Sequence, residues 1–308
     1  MPKQVQKKHI EILGFPMDLG ADRRGVDMGP SALRIAGIER KLRNMGYEVS
    51  DLGDIHIQTK ETQDITNPRL KYLDEIVRAS EILAEKVERT LSKGRFPLCI
   101  GGDHSISIGS IAGIASYCRK NDSILGVIWI DAHSDMNIED TTTSGNIHGM
   151  PLATSLGMGN KKLTDLLGFA PKVSAENCAL IAIRSIDNLE KENIRSVNLP
   201  VYTMSDIDRR GAYSIIDEVL DSLKERVDHI HVSFDIDGLD PSVATGVGTP
   251  VPGGLTYREA HLIMETIAGR GGMGSMDVAE INPILDHKNE SAEFTAEIVA
   301  SVMGKRIL

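Results

Sequence analysis

Short apolar runs recur along the chain, and each breaks off abruptly at glycine or at polar and charged residues. They lie at 9–15 (HIEILGF), 96–100 (FPLCI), 124–130 (ILGVIWI), 178–183 (CALIAI), 200–204, 231–234 (HVSF) and 274–281 (GSMDVAEI), with a weaker, more polar strand expected at 47–52 (YEVSDL). Apolar runs this short and this rich in branched residues read as strands buried on both faces, as in a parallel sheet. Between them the apolar period changes to three and four residues, which predicts helices. One opens at Pro30 and Ser31 and stops at Gly46. A long one spans 67–94, with Leu73, Ile76, Val77, Ile82, Leu83 and Val87 on its apolar face. Another carries Ile108, Ile111 and Ile114, and crossover helices fill 154–167 and 212–227. Strands alternating with helices imply one parallel α/β sheet with helices on both faces. The sequence contains no linker, low-complexity tract or internal repeat, so a single domain over 1–308 is expected.

Composition excludes more than it identifies. Hydrophobic residues make up 41% of the chain and charged residues 25%, ordinary values for a globular protein. The net charge is -10 and the isoelectric point about 5.4, with no cluster of basic residues. A nucleic-acid partner is therefore not expected, and a small cationic substrate fits better. No stretch approaches the length of a membrane span, and MPKQVQKKHIEIL lacks an apolar core before a cleavage site. The expectation is a cytoplasmic protein with no membrane partner. Cys99, Cys118 and Cys178 are scattered without a paired motif and read as buried free thiols.

The chemistry is concentrated where the strands end. After 124–130 come Asp131, His133 and Asp135 at alternate positions. In extended backbone they project to one side, about 7 Å from one to the next. Alone, DAHSD fits a solvated turn as well as a cation site. The second strand end, HVSF followed by Asp235 and Asp237, repeats the pattern and makes coincidence a poor account. A third end supplies His104, placed after Gly101 and Gly102, whose lack of side chains permits a tight turn into a helix capped by Asp103 or Ser105. Two imidazoles and four carboxylates, without thiolate, suit two hard-to-borderline divalent ions, Mn²⁺ before Zn²⁺ or Mg²⁺. Four carboxylates also balance the charge of two such ions, whereas one ion would leave a buried anionic cage. Paired ions of this kind generate hydroxide near neutral pH, so metal-assisted hydrolysis is the expected chemistry.

GGDHS at 101–105, DAHSDMN at 131–137, SGNIHGMP at 144–151, SFDIDGLDP at 233–241, GTPVPGGLTYRE at 248–259 and EINP at 280–283 resemble the ureohydrolase family in order and spacing. The resemblance runs over nearly the whole chain. It implies a three-layer α/β/α fold with a central, mostly parallel eight-stranded sheet, two Mn²⁺ per chain, and hydrolysis of L-arginine to L-ornithine and urea. It implies that His104, Asp131, Asp135 and Asp235 hold one ion while His133 and Asp237 complete the other, with some carboxylates bridging. Asp135 thereby counts as catalytic as well as a ligand. By the same resemblance Glu280 accepts the guanidinium, whose planar fork matches a carboxylate. His148 passes a proton to the departing amine. Asn137, Ser144 and Asn146 bind the α-carboxylate, Asp187 and Glu190 engage the α-ammonium, and Thr249 sits near the guanidinium or the bound hydroxide. A homotrimer or homohexamer is implied as well. The rival readings are an amidinohydrolase acting on agmatine or another guanidine, a single-zinc deacetylase of the same broad architecture, against which His104 as a sixth ligand argues, and a catalytically silent metal- or arginine-binding sensor. SGN before HG favours arginine over its decarboxylated form.

Overall fold

Each of the eight expected strands forms, with ends displaced by no more than two residues. The computed structural model describes residues 9–306. The strands are β1 (His9–Phe15), β2 (Glu48–Asp54), β3 (Phe96–Gly101), β4 (Leu125–Ile130), β5 (Cys178–Ile183), β6 (Val201–Thr203), β7 (His229–Asp235) and β8 (Met273–Ala279). They pair in parallel throughout, in the order β2-β1-β3-β8-β7-β4-β5-β6. The carboxyl ends of β3, β8, β7 and β4 therefore lie side by side along the middle of one edge, where ligands gather in open α/β sheets.

Strand alternation sorts the core into two layers. On β4, Ile128 and Ile130 face one way, into a cluster with Leu33, Ile38, Ile215, Ile263 and Ile298. Val127 and Trp129 face the other way, into a cluster with Ile76, Leu83, Ile108, Ile111 and Ile114. The helices on both faces make this the anticipated three-layer α/β/α arrangement.

Helix boundaries depart from the sequence reading in several places. The helix expected after Pro30 is two, Gly29–Ile35 and Ile38–Asn44, divided at Gly37, whose φ of 79° is left-handed. The helix expected from residue 67 begins at Leu73, because the preceding segment folds toward the sheet edge, where the Lys71 amide donates to the Gly145 carbonyl. The segment 154–167 is broken into the short helices Pro151–Ser155 and Lys161–Thr164 and a 3-10 turn at Leu166–Gly168, with Gly157 and Gly159 in left-handed conformations between the first two. Helices Glu190–Ser196, Met204–Arg210, Tyr257–Arg270 and Glu290–Val302 were not expected. Two of them had a readable start: Thr203 with Asp206 and Thr256 with Glu259 form reciprocal capping boxes. β8 stops two residues early because Glu280 adopts φ 68°, after which Ile281 bridges Val247.

Candidate metal centre

The turn after β3 is stitched to the loop after β1 before any site residue appears. Gly102 donates to the Phe15 carbonyl and Asp103 to the Met17 carbonyl. A Cβ on Gly102 would stand 1.9 Å from the Met17 oxygen, so only glycine lets the two backbones approach this closely. Asp103 then accepts from the Gly20 and Ser105 amides, fixing the start of helix Ile106–Lys120. Of the two residues proposed to cap that helix, Ser105 stands at the N-cap without a capping side-chain bond, and Asp103 accepts the Ser105 amide. Its own carboxyl is pushed up to about 7 by burial and by Glu280.

This turn delivers His104 against the ends of β4 and β7. Its Nδ1 lies 3.1 Å from Asp131 Oδ2, 3.2 Å from Asp135 Oδ2 and 3.0 Å from Asp235 Oδ2. His133 Nδ1 lies 3.1 Å from Asp237 Oδ2 and 3.5 Å from Asp131 Oδ1. Two groups of ligand atoms result, His104 with Asp131 and Asp135, and His133 with Asp131 and Asp237, each fitting within 4.8 Å. Asp131 belongs to both. All of these side chains are buried except His133, which is half-buried.

The electrostatics are those of a cation cage. Burial, reinforced by neighbouring carboxylates, pushes Asp135 up to about 7 and also raises Asp235 and Asp237. Asp131 goes the opposite way, because contact with His104 and His133 outweighs its burial. His104 Nδ1 has no hydrogen-bond partner, although three carboxylate oxygens surround it. Burial opposes charge on the ring, yet these carboxylates raise the basicity of His104 well above that of an ordinary imidazole, so the position attracts positive charge, a proton or a cation. The donor set, all oxygen and imidazole, fits hard-to-borderline divalent metal.

Beside the cage stand Glu280 and His148. Glu280 is 2% exposed, and its Oε1 lies 2.9 Å from His148 Nδ1 while accepting the His104 amide at 3.0 Å. Burial alone would lower the basicity of His148, but bonding to Glu280 outweighs it and raises the imidazole to about 9. Asp135 and Glu280 both occupy left-handed backbone, at φ 51° and 68°. For residues with side chains this costs on the order of 1–3 kcal/mol each, and such strain clusters at functional positions.

The remaining expected residues line one cleft of about 140 Å³ with the cage at its base. Asn137 Nδ2 donates to Asp187 Oδ2 at 3.3 Å, and Asn146 Oδ1 accepts from Lys71 Nζ at 3.0 Å. Ser144 Oγ accepts the Asn146 amide, and Thr249 Oγ1 donates to Asp237 Oδ2 at 2.9 Å. Glu190 differs from the rest. Its Oε1 accepts from Ser134 Oγ and the Met136 amide, and its Oε2 accepts the Asp187 amide, so it braces the loop that carries Asp187.

Sequence reasoning missed several contributors. Trp129 Nε1 donates to Asp131 Oδ2 at 2.9 Å, and its indole stacks on His104 with centroids 4.2 Å apart. Ser233 Oγ lies 2.8 Å from His104 Nε2. Arg184 spends its guanidinium on the carbonyls of Asp237, Gly238, Leu239 and Val251, tying the turn after β7 to the loop that bears Thr249. Only Ser233 had a legible signal, since it alternates with Asp235 along β7.

A parallel sheet whose central edge gathers carboxylates and imidazoles around cation-sized gaps defines a metal-dependent α/β enzyme. The arginase family profile matches residues 8–304, and the chain belongs to that family. It is 48% identical over 302 residues to the arginase of Bacillus caldovelox, covering 98% of this chain and 100% of that one. To the arginase of Bacillus subtilis (strain 168) it is 49% identical over 301 residues, covering 98% and 99%. The crystal structure of the Bacillus caldovelox arginase superimposes with a TM-score of 0.94 over 98% of this chain and 100% of that one, at 48% identity. A hypothetical agmatinase from Burkholderia thailandensis shares the fold alone, at 23% identity and a TM-score of 0.72.

Proposed function

We propose that this chain is an enzyme that hydrolyses L-arginine to L-ornithine and urea. The observation that carries this reading is the convergence of His104, Asp131, His133, Asp135, Asp235 and Asp237 beside the Glu280–His148 pair, in a chain of the arginase family. His104, Asp131, Asp135 and Asp235 are the proposed ligands of one divalent cation, and Asp131, His133 and Asp237 those of a second. When bound, paired divalent ions acidify a water molecule and stabilise the charge that develops as it attacks.

The chain's own residues supply the rest. Glu280, aimed by its left-handed backbone, presents a carboxylate to the guanidinium as a fork of acceptors. His148 is held at Nδ1 by Glu280, so its other ring nitrogen serves proton exchange. As the carbon–nitrogen bond to the ornithine side breaks, His148 delivers the proton that the departing amine needs. Asn137, Ser144 and Asn146 on one wall of the cleft bind the α-carboxylate, and Asp187 on the other meets the α-ammonium, with Glu190 bracing it. Thr249, anchored on Asp237, closes the guanidinium end against water.

Two Mn²⁺ per chain complete the reading, on the strength of a donor set without thiolate. A homotrimer or homohexamer is proposed for the assembly. A cytoplasmic location is supported by three buried free cysteines among the described residues. No helix among those residues is long and apolar enough to cross a membrane. A single domain over 1–308 is proposed, supported by the joining of all eight described strands in one sheet and by the family match over 8–304.

Urea release from a panel of guanidines after manganese loading tests the activity. L-arginine should yield urea and L-ornithine. Urea from agmatine with none from L-arginine would replace the substrate assignment, and tight arginine binding without turnover would replace the enzyme with a sensor.

A further inference from the structure

β7 is buried on both faces, yet only one face is apolar. Ile230, Val232 and Phe234 enter one core layer, while His231 and Ser233 alternate with them toward helix Ile106–Lys120. β8 matches this polar face, with Ser275 opposite His231 and Asp277 opposite Ser233. The helix lays Ser107 and Ser110 across the seam. All six side chains are fully buried. Valine and alanine would fill the same space without the cost of burying polar groups, so the seam calls for a reason beyond packing.

The hydrogen bonds have a direction that can be worked out from one end. Burial would raise the Asp277 carboxyl, but the charge of His231 and bonds from His231 and Ser110 bring it down to about 2. An ionised carboxylate only accepts. Its Oδ2 receives Ser107 Oγ at 3.0 Å, Ser110 Oγ at 2.6 Å and His231 Nε2 at 3.0 Å. A hydroxyl has one proton to give. Since Ser107 gives its proton to Asp277, the 3.0 Å contact between Ser107 Oγ and Ser233 Oγ is donated by Ser233. Ser233 then has none left, so its 2.8 Å contact with His104 is donated by His104 Nε2. A proton of His104 is thus placed on Nε2, which leaves Nδ1, the nitrogen facing Asp131, Asp135 and Asp235, as the one available to a cation.

We propose that Asp277 is a positioning residue that, through the hydroxyls of Ser107 and Ser233, holds His104 in the one tautomer able to ligate a cation through Nδ1. The inference rests on His104 being a metal ligand. Asp277 touches neither the cation site nor the cleft. It acts by removing the alternative in which Nδ1 carries the proton and His104 must exchange tautomers before binding. His231 Nε2, 3.0 Å from Asp277 Oδ2, is a further partner that keeps Asp277 an acceptor in the buried seam.

The test uses the full chain with Ser107→Ala, Asp277→Asn, Ser110→Ala and His104→Asn. Two quantities are measured: Mn²⁺ affinity by competition with a chelator, and the ¹⁵N shifts of the His104 ring in metal-free protein titrated to the alkaline limit where the ring is neutral, which distinguish the tautomers. Ser107→Ala and Asp277→Asn should weaken one Mn²⁺ site by about 10- to 100-fold, the range for losing an outer hydrogen-bond partner of a ligand, and should mix the tautomers. Ser110→Ala, which leaves the route through Ser107 intact, should keep both quantities at their wild-type values. If Asp277→Asn does not fold, Ser107→Ala decides the matter. A folded Ser107→Ala protein with wild-type Mn²⁺ affinity and a single Nε2-protonated His104 overturns the relay. Unaltered Mn²⁺ binding in His104→Asn instead overturns the ligand assignment, and the relay with it.

Discussion

His148 Nδ1 lies 2.9 Å from Glu280 Oε1, although 132 residues separate them in the chain. The contact makes each residue part of the other's chemistry. Glu280 holds a group meant to carry a proton, and His148 moderates a buried carboxylate meant to receive a cation.

This pairing has a consequence for pH. The folded-state basicity of His148 is raised from an ordinary 6.5 to about 9, burial being outweighed by Glu280. A raised value means that the pair's contribution to stability is fully present below about pH 6.5 and is lost as pH rises through about 9. The unfolding midpoint of metal-free protein, compared with that of Glu280→Gln from pH 6 to 10, should show an advantage that shrinks across that window. A constant difference would remove the charge from the account.

Removing the imidazole should affect turnover far more than folding. His148→Ala should reduce kcat by about 10² to 10⁴, the range for a lost general acid or base, while manganese content per chain stays as in wild type. Steady-state urea release and metal analysis on the same sample check both halves.

The two carboxylates at the ends of β4 and β7 should behave differently. Asp131 belongs to both ligand groups, whereas Asp235 faces His104 alone among the two histidines of the cage. Asp131→Asn should therefore release both ions and Asp235→Asn mainly one, with turnover abolished in each. Metal-to-protein ratios after dialysis are the measurement. Unimpaired turnover in Asp235→Asn would contradict its placement among the ligands.

Substrate recognition can be separated from chemistry at the cleft wall. Ser144→Ala removes a hydroxyl proposed to bind the α-carboxylate, a bond to a charged group typically contributing about 1.5–3 kcal/mol. KM for L-arginine should rise about tenfold or more with little change in kcat, the signature of lost binding common to ground and transition states. An equal loss in kcat would place Ser144 nearer the reacting atoms.

Gly102→Ala tests the turn that delivers His104. Its Cβ would meet main-chain atoms of Met17 and not a movable side chain. The expected destabilisation is about 1–3 kcal/mol, as for other overpacked positions, with weakened manganese binding because the turn carries His104. Denaturant titration and a manganese isotherm read the two effects.

Much of the architecture could be read from the chain alone, for a local reason. A strand buried on both faces is an apolar run, and an acidic or imidazole residue at its end is conspicuous against it, so Asp131, His133, Asp135, Asp235 and Asp237 stood out. Helices were read less well. The breaks at Gly37 and between Gly157 and Gly159 depend on left-handed backbone that periodicity does not register. Helix Glu290–Val302 is buried over most of its length, so its apolar period is blurred.

By itself the sequence determined which side chains stand at strand ends, because that depends only on neighbours a few residues away. What tertiary structure alone decided is which strand ends are adjacent. β8 and β7 are inserted between β3 and β4, bringing residues from four distant segments to one edge. The same insertion sets Asp277 behind Ser233, and Ser233 behind His104. No local pattern encodes a chain of hydrogen bonds whose direction is set by an acid 173 residues away from the imidazole it orients, counting from His104 to Asp277.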